Sequence, residues 1–166
     1  MGKKVFYHVY CGMISIFLIV LFVFMFKSCF GKDAKPQTQT ITGLNETYHG
    51  SVLNITATDV KVVKDPYDKS CIHIEVRFVV ENVSNKDFNM GGYLIDPYVD
   101  DVTAYGSVSA YSNKAGESLQ GTIAPGKSAV GYYSVLASKD AKVVEIQIEE
   151  SSNRKAIFIF DVPSAG

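Results

Sequence analysis

The stretch Cys71-Ile-His-Ile-Glu-Val-Arg-Phe-Val-Val-Glu81 decides the fold of this chain. Every second residue from Ile72 to Val80 is apolar, whereas the intervening positions include His73, Glu75 and Arg77. Successive side chains of a β-strand point to opposite faces of a sheet. The alternation therefore predicts a strand with one buried face and one largely polar face.

The same period of two extends outward from this strand in both directions. The apolar phase of Leu53–Ala57 slips at Val60, which predicts a β-bulge, one extra residue near Asp59. No segment shows a convincing helical stripe, so seven or eight strands joined by turns predict an all-β fold, a sandwich or a barrel. The later strands are predicted over residues 92–95, 102–105, 118–123, 129–136, 142–149 and 155–161.

The N-terminal segment, residues 1–29, has a different character. An almost unbroken apolar run, Val5 to Phe26, follows Lys3 and Lys4 and is long enough to cross a hydrocarbon core of about 30 Å as a helix. It is either a retained transmembrane anchor or a lipoprotein signal segment after which Cys29 is lipidated. The apolar run is longer than that of a usual signal peptide, which favours the retained helix.

The remaining chain divides into a short tether and one domain. Residues 30–48 carry few large apolar side chains, so we expect a flexible polar tether there. Residues 49–166 contain the predicted strands and form the domain. Both interpretations of the N-terminal segment place this domain outside the cytoplasm, at the cell membrane, because the basic N-terminal tail stays inside.

The charge distribution excludes one class of function. After Cys29 the chain carries thirteen basic and seventeen acidic residues, a net charge of −4. Nucleic-acid binding depends on clustered lysine and arginine, and no basic stripe is present, so we expect no nucleic-acid partner. Cys71 is the single cysteine of the domain, so the core rather than disulfides must stabilise the fold.

Three segments resemble an immunoglobulin-like family of unknown function, often called telokin-like. They are VLNITATDVKVVKD (52–65), CIHIEVRFVVENVSNKDFNM (71–90) and SLQGTIAPGKSAVGYYSVLASKDAKVVEIQI (118–148). That family occurs in bacterial lipoproteins and membrane-anchored surface proteins. The resemblance implies an immunoglobulin-like β-sandwich of about seven or eight strands outside the membrane, and it implies no catalytic residues. The chain lacks the tryptophan and cysteine pair of antibody domains.

A phosphate-loop pattern, Gly121-Thr-Ile-Ala-Pro-Gly-Lys-Ser128, is present but lacks its structural context. Such a loop directs backbone N–H groups and a helix N-terminus at phosphates, so a helix must follow Ser128. The following residues, Ala129–Leu136, are strand-forming instead. We therefore expect a turn at Pro125-Gly126 and no nucleotide partner.

An acidic loop is the one candidate metal site in the sequence. Asp96, Asp100 and Asp101 lie within six residues, and calcium prefers several oxygen ligands. The spacing does not match an EF-hand loop, and a solvated turn is the simpler interpretation. We expect no cofactor, with calcium at these three aspartates as the alternative.

Tyrosines are the better candidates for a binding surface, because they give large contact areas at low entropic cost. Tyrosine is also a common strand residue, so packing within the sheets is the alternative interpretation. Six concentrate in the middle of the domain: Tyr93, Tyr98, Tyr105, Tyr111, Tyr132 and Tyr133. His73 shares a strand face with Cys71 and Glu75, but no metal or nucleophile motif accompanies it. We therefore expect a membrane-tethered, non-enzymatic binding or accessory module that contacts an envelope protein or a cell-wall component. A sensor for calcium or a small ligand at residues 96–101 is the alternative.

Overall fold

The computed structural model describes residues 37–92, 94–151 and 153–164, which contain strands and one 3-10 helix, Met90–Gly92. No α-helix occurs within these ranges, which confirms the all-β prediction. The strands are β1 (Gln37–Ile41), β2 (Thr47–His49), β3 (Leu53–Lys64), β4 (Cys71–Asn82), β5 (Phe88–Asn89), β6 (Leu94–Val99), β7 (Val102–Thr103), β8 (Tyr105–Val108), β9 (Thr122–Ile123), β10 (Ser128–Ser138), β11 (Val143–Ser151) and β12 (Arg154–Asp161).

Two five-stranded sheets make up most of the fold. Sheet I has the order β1-β12-β11-β6-β7, and sheet II has the order β2-β3-β4-β10-β8. The pairs are antiparallel except β1 with β12, which is parallel. The short strands β5 and β9 pair separately.

The core lies between the inner faces of the two sheets, as the alternation predicts. Ile74, Val76 and Phe78 of β4 are buried against residues of sheet I. The Phe78 and Phe158 rings meet edge to face with their centroids 5.1 Å apart, which joins β4 to β12 across the core. Such aromatic pairs add about 1 kcal/mol beyond their buried area.

The predicted bulge in β3 is confirmed. Ala57 pairs with Phe78, but the next paired residue of β3 is Asp59, opposite Arg77. Thr58 is therefore the extra residue, and its hydroxyl donates a 3.3 Å hydrogen bond to the Arg77 carbonyl. The bulge explains the phase shift of the apolar pattern, because one inserted residue moves all later side chains to the opposite face.

The prediction of a flexible tether over residues 30–48 is wrong for its C-terminal part. β1 and the first two residues of β2 lie in that range, and the Gln37 N–H donates a 2.7 Å hydrogen bond to the Asn153 carbonyl. Ile41 and Tyr48 are almost completely buried. Two large apolar side chains and the free edges of β12 and β3 are enough to order a segment that is otherwise polar.

The predicted anchor, residues 1–29, and Cys29 lie outside the described residues. Within the described ranges no helix is long and apolar enough to cross a membrane.

Candidate functional site

The outer face of sheet II carries its polar side chains in cross-strand rows. Strands β3, β4, β10 and β8 lie side by side, so residues directly opposite one another form a row on one face. One row is Lys61, Glu75, Ser134 and Ser107, and the next is Val63, His73, Leu136 and Tyr105. The face on which β4 carries Glu75 and His73 thus continues across four strands, with Val63 and Leu136 as apolar members of the second row.

A cleft of about 200 Å³ opens on this face, and we call it the tyrosine cleft. Tyr105 and Tyr111 are 73% and 48% exposed, and both line it. Exposed aromatic rings of this kind are typical of interaction surfaces rather than of sheet packing. The complete lining is Asp65, His73, Tyr105, Ser107, Ala110, Tyr111, Ser134 and Leu136.

A relay of hydrogen bonds crosses the cleft. The His73 Nε2 atom lies 2.8 Å from Asp65 Oδ2, and its Nδ1 atom lies 3.2 Å from Ser134 Oγ. The Tyr111 ring lies beside the imidazole, with a centroid separation of 5.0 Å and a tilt of 52°. The imidazole is therefore fixed by a carboxylate, a hydroxyl and an aromatic ring.

The turn before β4 holds Asp65 in its ionised form. Its Oδ1 atom accepts hydrogen bonds of 2.7 Å from the N–H groups of Asp68 and Tyr67. These backbone bonds and the His73 contact lower the pKa of the Asp65 carboxyl, because they stabilise the charged form. The cleft therefore contains a preoriented carboxylate.

This carboxylate determines the tautomer of His73. An ionised carboxylate only accepts hydrogen bonds, so Nε2 must carry the proton that Asp65 receives. In the neutral imidazole Nδ1 then has a free lone pair, and the Ser134 hydroxyl donates to it. The Ser134 oxygen keeps its own lone pairs for a ligand in the cleft.

Beside the cleft, the Glu75 carboxylate is completely buried under a loop that follows β8. Its Oε1 atom accepts a hydrogen bond from the Ser109 hydroxyl. Its Oε2 atom has no hydrogen-bond partner among the described residues and lies 3.9 Å from Lys61 Nζ. A buried carboxylate with one unsatisfied oxygen is destabilising, so Ser109 and Lys61 must offset that unfavourable contribution.

The loop over Glu75 comprises residues 109–117, and we call it the cover loop. Side-chain contacts of Asn113 and Glu117 hold it in place. Asn113 accepts a 2.6 Å hydrogen bond from the Tyr132 N–H and donates one of 3.0 Å to the Ser109 carbonyl. Arg77 forms a 2.9 Å ion pair with Glu117 and lowers the pKa of that carboxyl. The loop thereby places Ala110 and Tyr111 as one wall of the tyrosine cleft.

The six candidate tyrosines separate into different environments. Tyr105 and Tyr111 line the cleft, whereas Tyr98 lines a pocket on sheet I. Tyr132 and Tyr133 are buried, and burial raises the pKa of each to about 12, with an Asp59 hydrogen bond contributing at Tyr132. Tyr93 lies outside the described residues.

The acidic loop has a structural role in the β6–β7 hairpin. Asp100 and Asp101 have φ values of 48° and 66°, as a two-residue type I′ turn requires, and Val99 pairs with Val102 across them. The Asp100 carboxylate accepts hydrogen bonds of 2.9 and 3.0 Å from the N–H groups of Val143 and Lys142.

Asp96 lies within β6, opposite Gln147 of β11. In the described part of the chain no three His, Cys, Asp or Glu side chains come close enough to hold a metal ion. Calcium binding by Asp96, Asp100 and Asp101 stays a prediction, and the contacts of Asp100 are explained without a metal.

The phosphate-loop pattern contains a β-turn between β9 and β10. The Lys127 N–H donates a 3.0 Å hydrogen bond to the Ala124 carbonyl, and Gly126 has a φ of 68°. Pro125 and Gly126 are therefore the central residues of a turn, and Gly126 supplies its left-handed position. Strand β10 begins at Ser128, so a strand follows the pattern where a phosphate loop needs a helix.

Sequence reasoning missed the relay, although it placed His73 on the polar face. Asp65 reaches the imidazole through the turn before β4, and Ser134 lies 61 residues away on β10. Cys71, which shares the face, instead contacts Asp68 with a 3.5 Å Sγ–Oδ2 separation. The only sequence signal was a histidine among charged residues on an amphipathic strand, which does not identify partners.

Comparisons with known proteins establish the fold and nothing finer. An uncharacterised β-sandwich protein from Clostridium difficile is 11% identical, with a TM-score of 0.51 over 78% of this chain and 98% of its own. The yjhA protein from Bacillus subtilis is 15% identical, with a TM-score of 0.55 over 73% of this chain and 100% of its own.

A candidate lipoprotein from Bacillus subtilis, ycdA, is 18% identical with a TM-score of 0.55. The alignment covers 72% of this chain but only 39% of that protein. No family model and no curated protein matches this chain. The chain is thus a β-sandwich protein similar in fold to uncharacterised bacterial proteins.

Proposed function

We propose that this chain is a membrane-tethered, extracytoplasmic binding module without catalytic activity, and that it binds an envelope protein through the tyrosine cleft. The proposal rests chiefly on one observation, the exposure of Tyr105 and Tyr111 around a preoriented polar floor. Large exposed aromatic side chains next to fixed polar groups are the usual composition of an interface hot spot. A single cleft of this kind suits recognition of one protruding side chain.

The immunoglobulin-like part of the proposal is supported by the order of the strands. The run β3-β4-β10-β8 in sheet II corresponds to the A-B-E-D sheet of such domains, and β7-β6-β11-β12 in sheet I corresponds to C′-C-F-G. In addition, β1 pairs in parallel with β12 and thereby adds an N-terminal strand to the edge of sheet I. This strand order is what supports an immunoglobulin-like arrangement of the β-sandwich.

The location outside the cytoplasm is supported by two independent observations. The apolar run Val5 to Phe26, preceded by Lys3 and Lys4, has the composition of an anchor or a lipoprotein signal segment. A solved protein of similar fold is a candidate lipoprotein. Either a retained helix or lipidation at Cys29 would leave the β-domain outside the cell membrane.

Site-specific photo-crosslinking in intact cells tests this function. A benzophenone amino acid is placed at Tyr111 or at Leu136, two cleft positions, and at Tyr98 on the opposite sheet as the matched control. We expect both cleft positions to yield the same adduct and Tyr98 to yield none. The purified partner should then bind the purified chain, and a Tyr105→Ser variant should weaken that binding.

The outcome that contradicts the proposal is equally specific. If Tyr98 captures the same partner with equal yield, or if the partner binds the Tyr105→Ser variant unchanged, the cleft is not the binding surface. Hydrolytic turnover by the purified chain, lost in a Ser134→Ala variant, would contradict the non-enzymatic assignment, because Asp65, His73 and Ser134 have the connectivity of a nucleophile with its base and orienting group.

A further inference from the structure

We propose that the tyrosine cleft recognises an ammonium group, presented by a lysine side chain of the protein partner. The inference rests on the proposed function and specifies the chemistry of its ligand. Three features of the cleft carry it: the direction of the hydrogen-bond relay, the aromatic walls and the charge of the lining. Each favours a cationic hydrogen-bond donor over an acceptor or an anion.

The relay gives the floor of the cleft a defined polarity. Because Asp65 accepts a hydrogen bond from Nε2–H, the neutral imidazole has its lone pair on Nδ1, and the Ser134 hydroxyl, 3.2 Å away, donates its single hydrogen to that atom. The Ser134 oxygen, which belongs to the cleft lining, then has only lone pairs left to offer a ligand. A ligand that bonds to this oxygen must bring a donor, and an ammonium group brings three.

The walls of the cleft attract a cation. Tyr105 and Tyr111 are both substantially exposed, and the face of a tyrosine ring carries the negative part of its quadrupole. A cation within about 6 Å of such a ring is stabilised electrostatically. The same interaction already occurs on this face of the sheet, where Lys61 Nζ lies 3.9 Å from the centroid of the Tyr132 ring.

The lining itself is anionic. Among the eight lining residues there is one carboxylate, Asp65, whose pKa is lowered, and there is no lysine or arginine. The chain after Cys29 has a net charge of −4, so its long-range field also favours a basic partner. An anionic ligand would meet this carboxylate with no lysine or arginine in the lining to compensate for it.

The volume of the cleft limits how much of a ligand can enter. Pockets for drug-sized molecules usually enclose about 300–1,000 Å³, whereas this cleft has about 200 Å³. It can therefore accept the end of one side chain, and the rest of the partner must lie over the exposed rings.

An NMR titration of the full-length chain in detergent micelles tests the inference. The probe is Nα-acetyl-lysine methylamide, and the matched probes are its Nε-acetylated form, which lacks the charge, and Nα-acetyl-norleucine methylamide, which lacks the nitrogen. Methylammonium chloride measures the ammonium group alone. We expect saturable shifts at Tyr105, Ser107, Tyr111 and Ser134 with the lysine probe, and at least about fivefold weaker binding of both neutral probes.

Substitutions locate the effect in the cleft. Tyr105→Leu and Tyr111→Leu should each weaken the lysine probe about threefold, because each removes one exposed cation–aromatic contact. Tyr98→Leu, on the other sheet, should leave the binding unchanged. Asp65→Asn should weaken binding further, and the two exposed tyrosine variants keep the test valid if that variant does not fold.

The inference is overturned if the Nε-acetylated probe binds as well as the lysine probe, or if Tyr98→Leu weakens binding as much as the cleft variants do. If either of these outcomes occurs but Tyr111 still captures a crosslinked partner, the proposed binding function is retained and only the assignment of an ammonium ligand is rejected. If methylammonium saturates the cleft and the lysine probe binds with no higher affinity, the assignment to a lysine side chain is overturned.

Discussion

The Glu150 carboxylate at the end of β11 accepts a 3.0 Å hydrogen bond from the Leu53 N–H at the start of β3, so one side chain joins sheet I to sheet II. The N–H groups of Ser51 and Val52 donate to the same carboxylate. Three successive backbone donors thus surround one anion, as in an anion-binding nest. The Tyr48 hydroxyl, 3.3 Å away, completes the set.

Removal of this carboxylate should destabilise the fold. Glu150→Ala leaves the partly buried N–H groups of Val52 and Leu53 and the exposed N–H of Ser51 without their acceptor, and we expect a loss of about 2 kcal/mol in the free energy of unfolding. Glu149→Ala is the matched control, because Glu149 forms a partly exposed ion pair with Lys155 that contributes at most about 1 kcal/mol. Urea denaturation of both variants measures the difference. Equal losses would show that Glu150 does not join the sheets energetically.

The stability of the domain should also fall in acid because of Glu150. Burial raises the pKa of this carboxyl, but the hydrogen bonds from Leu53, Val52 and Ser51 lower it by more, so the net shift is downward. A carboxyl with a lowered folded-state pKa stabilises the fold above its unfolded-state pKa of about 4.3, and the contribution is lost as the pH falls through the lower, folded-state value.

Unfolding free energies measured between about pH 3 and pH 7 test this expectation. The native chain should lose stability on acidification, and Glu150→Gln should lose less over the same range because it has no proton to gain. Parallel profiles for the two proteins would assign the acid sensitivity to other carboxyls, such as that of Glu117.

Asn82 is fully buried at the end of β4, and each of its side-chain atoms has its partners. Nδ2 donates hydrogen bonds of 2.8 Å to the carbonyls of Lys86 and Ile123, and Oδ1 accepts from Ser84. Asn82→Asp replaces the donor with an acceptor and places a charge in the core. We expect a loss of at least about 3 kcal/mol.

The exposed Asn85 of the same turn provides the control for this substitution. Asn85→Asp should change the free energy of unfolding by no more than about 0.5 kcal/mol. Thermal and urea unfolding of both variants give the comparison, and a tolerated Asn82→Asp would contradict the bonding pattern described for the turn.

The cover loop depends on Ser109. Its hydroxyl donates to buried Glu75 and accepts hydrogen bonds of 3.1 and 3.0 Å from the N–H groups of Tyr111 and Ser112. Ser109→Ala should therefore lower the free energy of unfolding by about 2 kcal/mol and increase hydrogen exchange in residues 109–117. Ser107→Ala, two residues earlier, should change stability by no more than about 0.5 kcal/mol. If exchange in the loop is unchanged in Ser109→Ala, Ser109 does not anchor it.

Substitutions of Asp100 distinguish a turn from a calcium site. Asn tolerates the left-handed conformation and still accepts hydrogen bonds, so Asp100→Asn should be nearly neutral, whereas Asp100→Ala should lose about 2 kcal/mol. We expect the same values with and without calcium in thermal melts. A calcium-dependent rise in the melting temperature that Asp100→Asn abolishes would instead establish the alternative sensor function.

The parts of the fold that were predictable are those governed by local alternation. The period of two in β4 predicted its buried face, and the shifted phase before Val60 predicted a bulge near Asp59, which the structure shows at Thr58. Pro125 and Gly126 identified a turn because proline restricts φ to negative values and glycine adopts a positive φ without steric cost. In each case the physical cause acts over a few residues, so the sequence displays it directly.

The parts that were not predictable depend on distant partners. Ile41 and Tyr48 order a polar segment only because β12 and β3 offer free edges, and no local pattern shows those edges. The hydrogen bond between His73 and Ser134 likewise depends on a distant partner, because Ser134 lies beside His73 only when β10 has paired with β4. Asp100 resembled a ligand by its side-chain type, but its positive φ and backbone contacts give it a turn-forming role.

The parallel pairing of β1 with β12 has a mechanical consequence. A pulling force transmitted along the residues before Gln37 reaches this five-residue ladder before any other part of the described chain. In β1 the first four side chains are exposed, and Ile41 alone is buried, so the strand detaches at lower force than the strands inside the sheets. Load applied at that end of the described chain would then be released by detachment of β1, while the tyrosine cleft on sheet II stays intact.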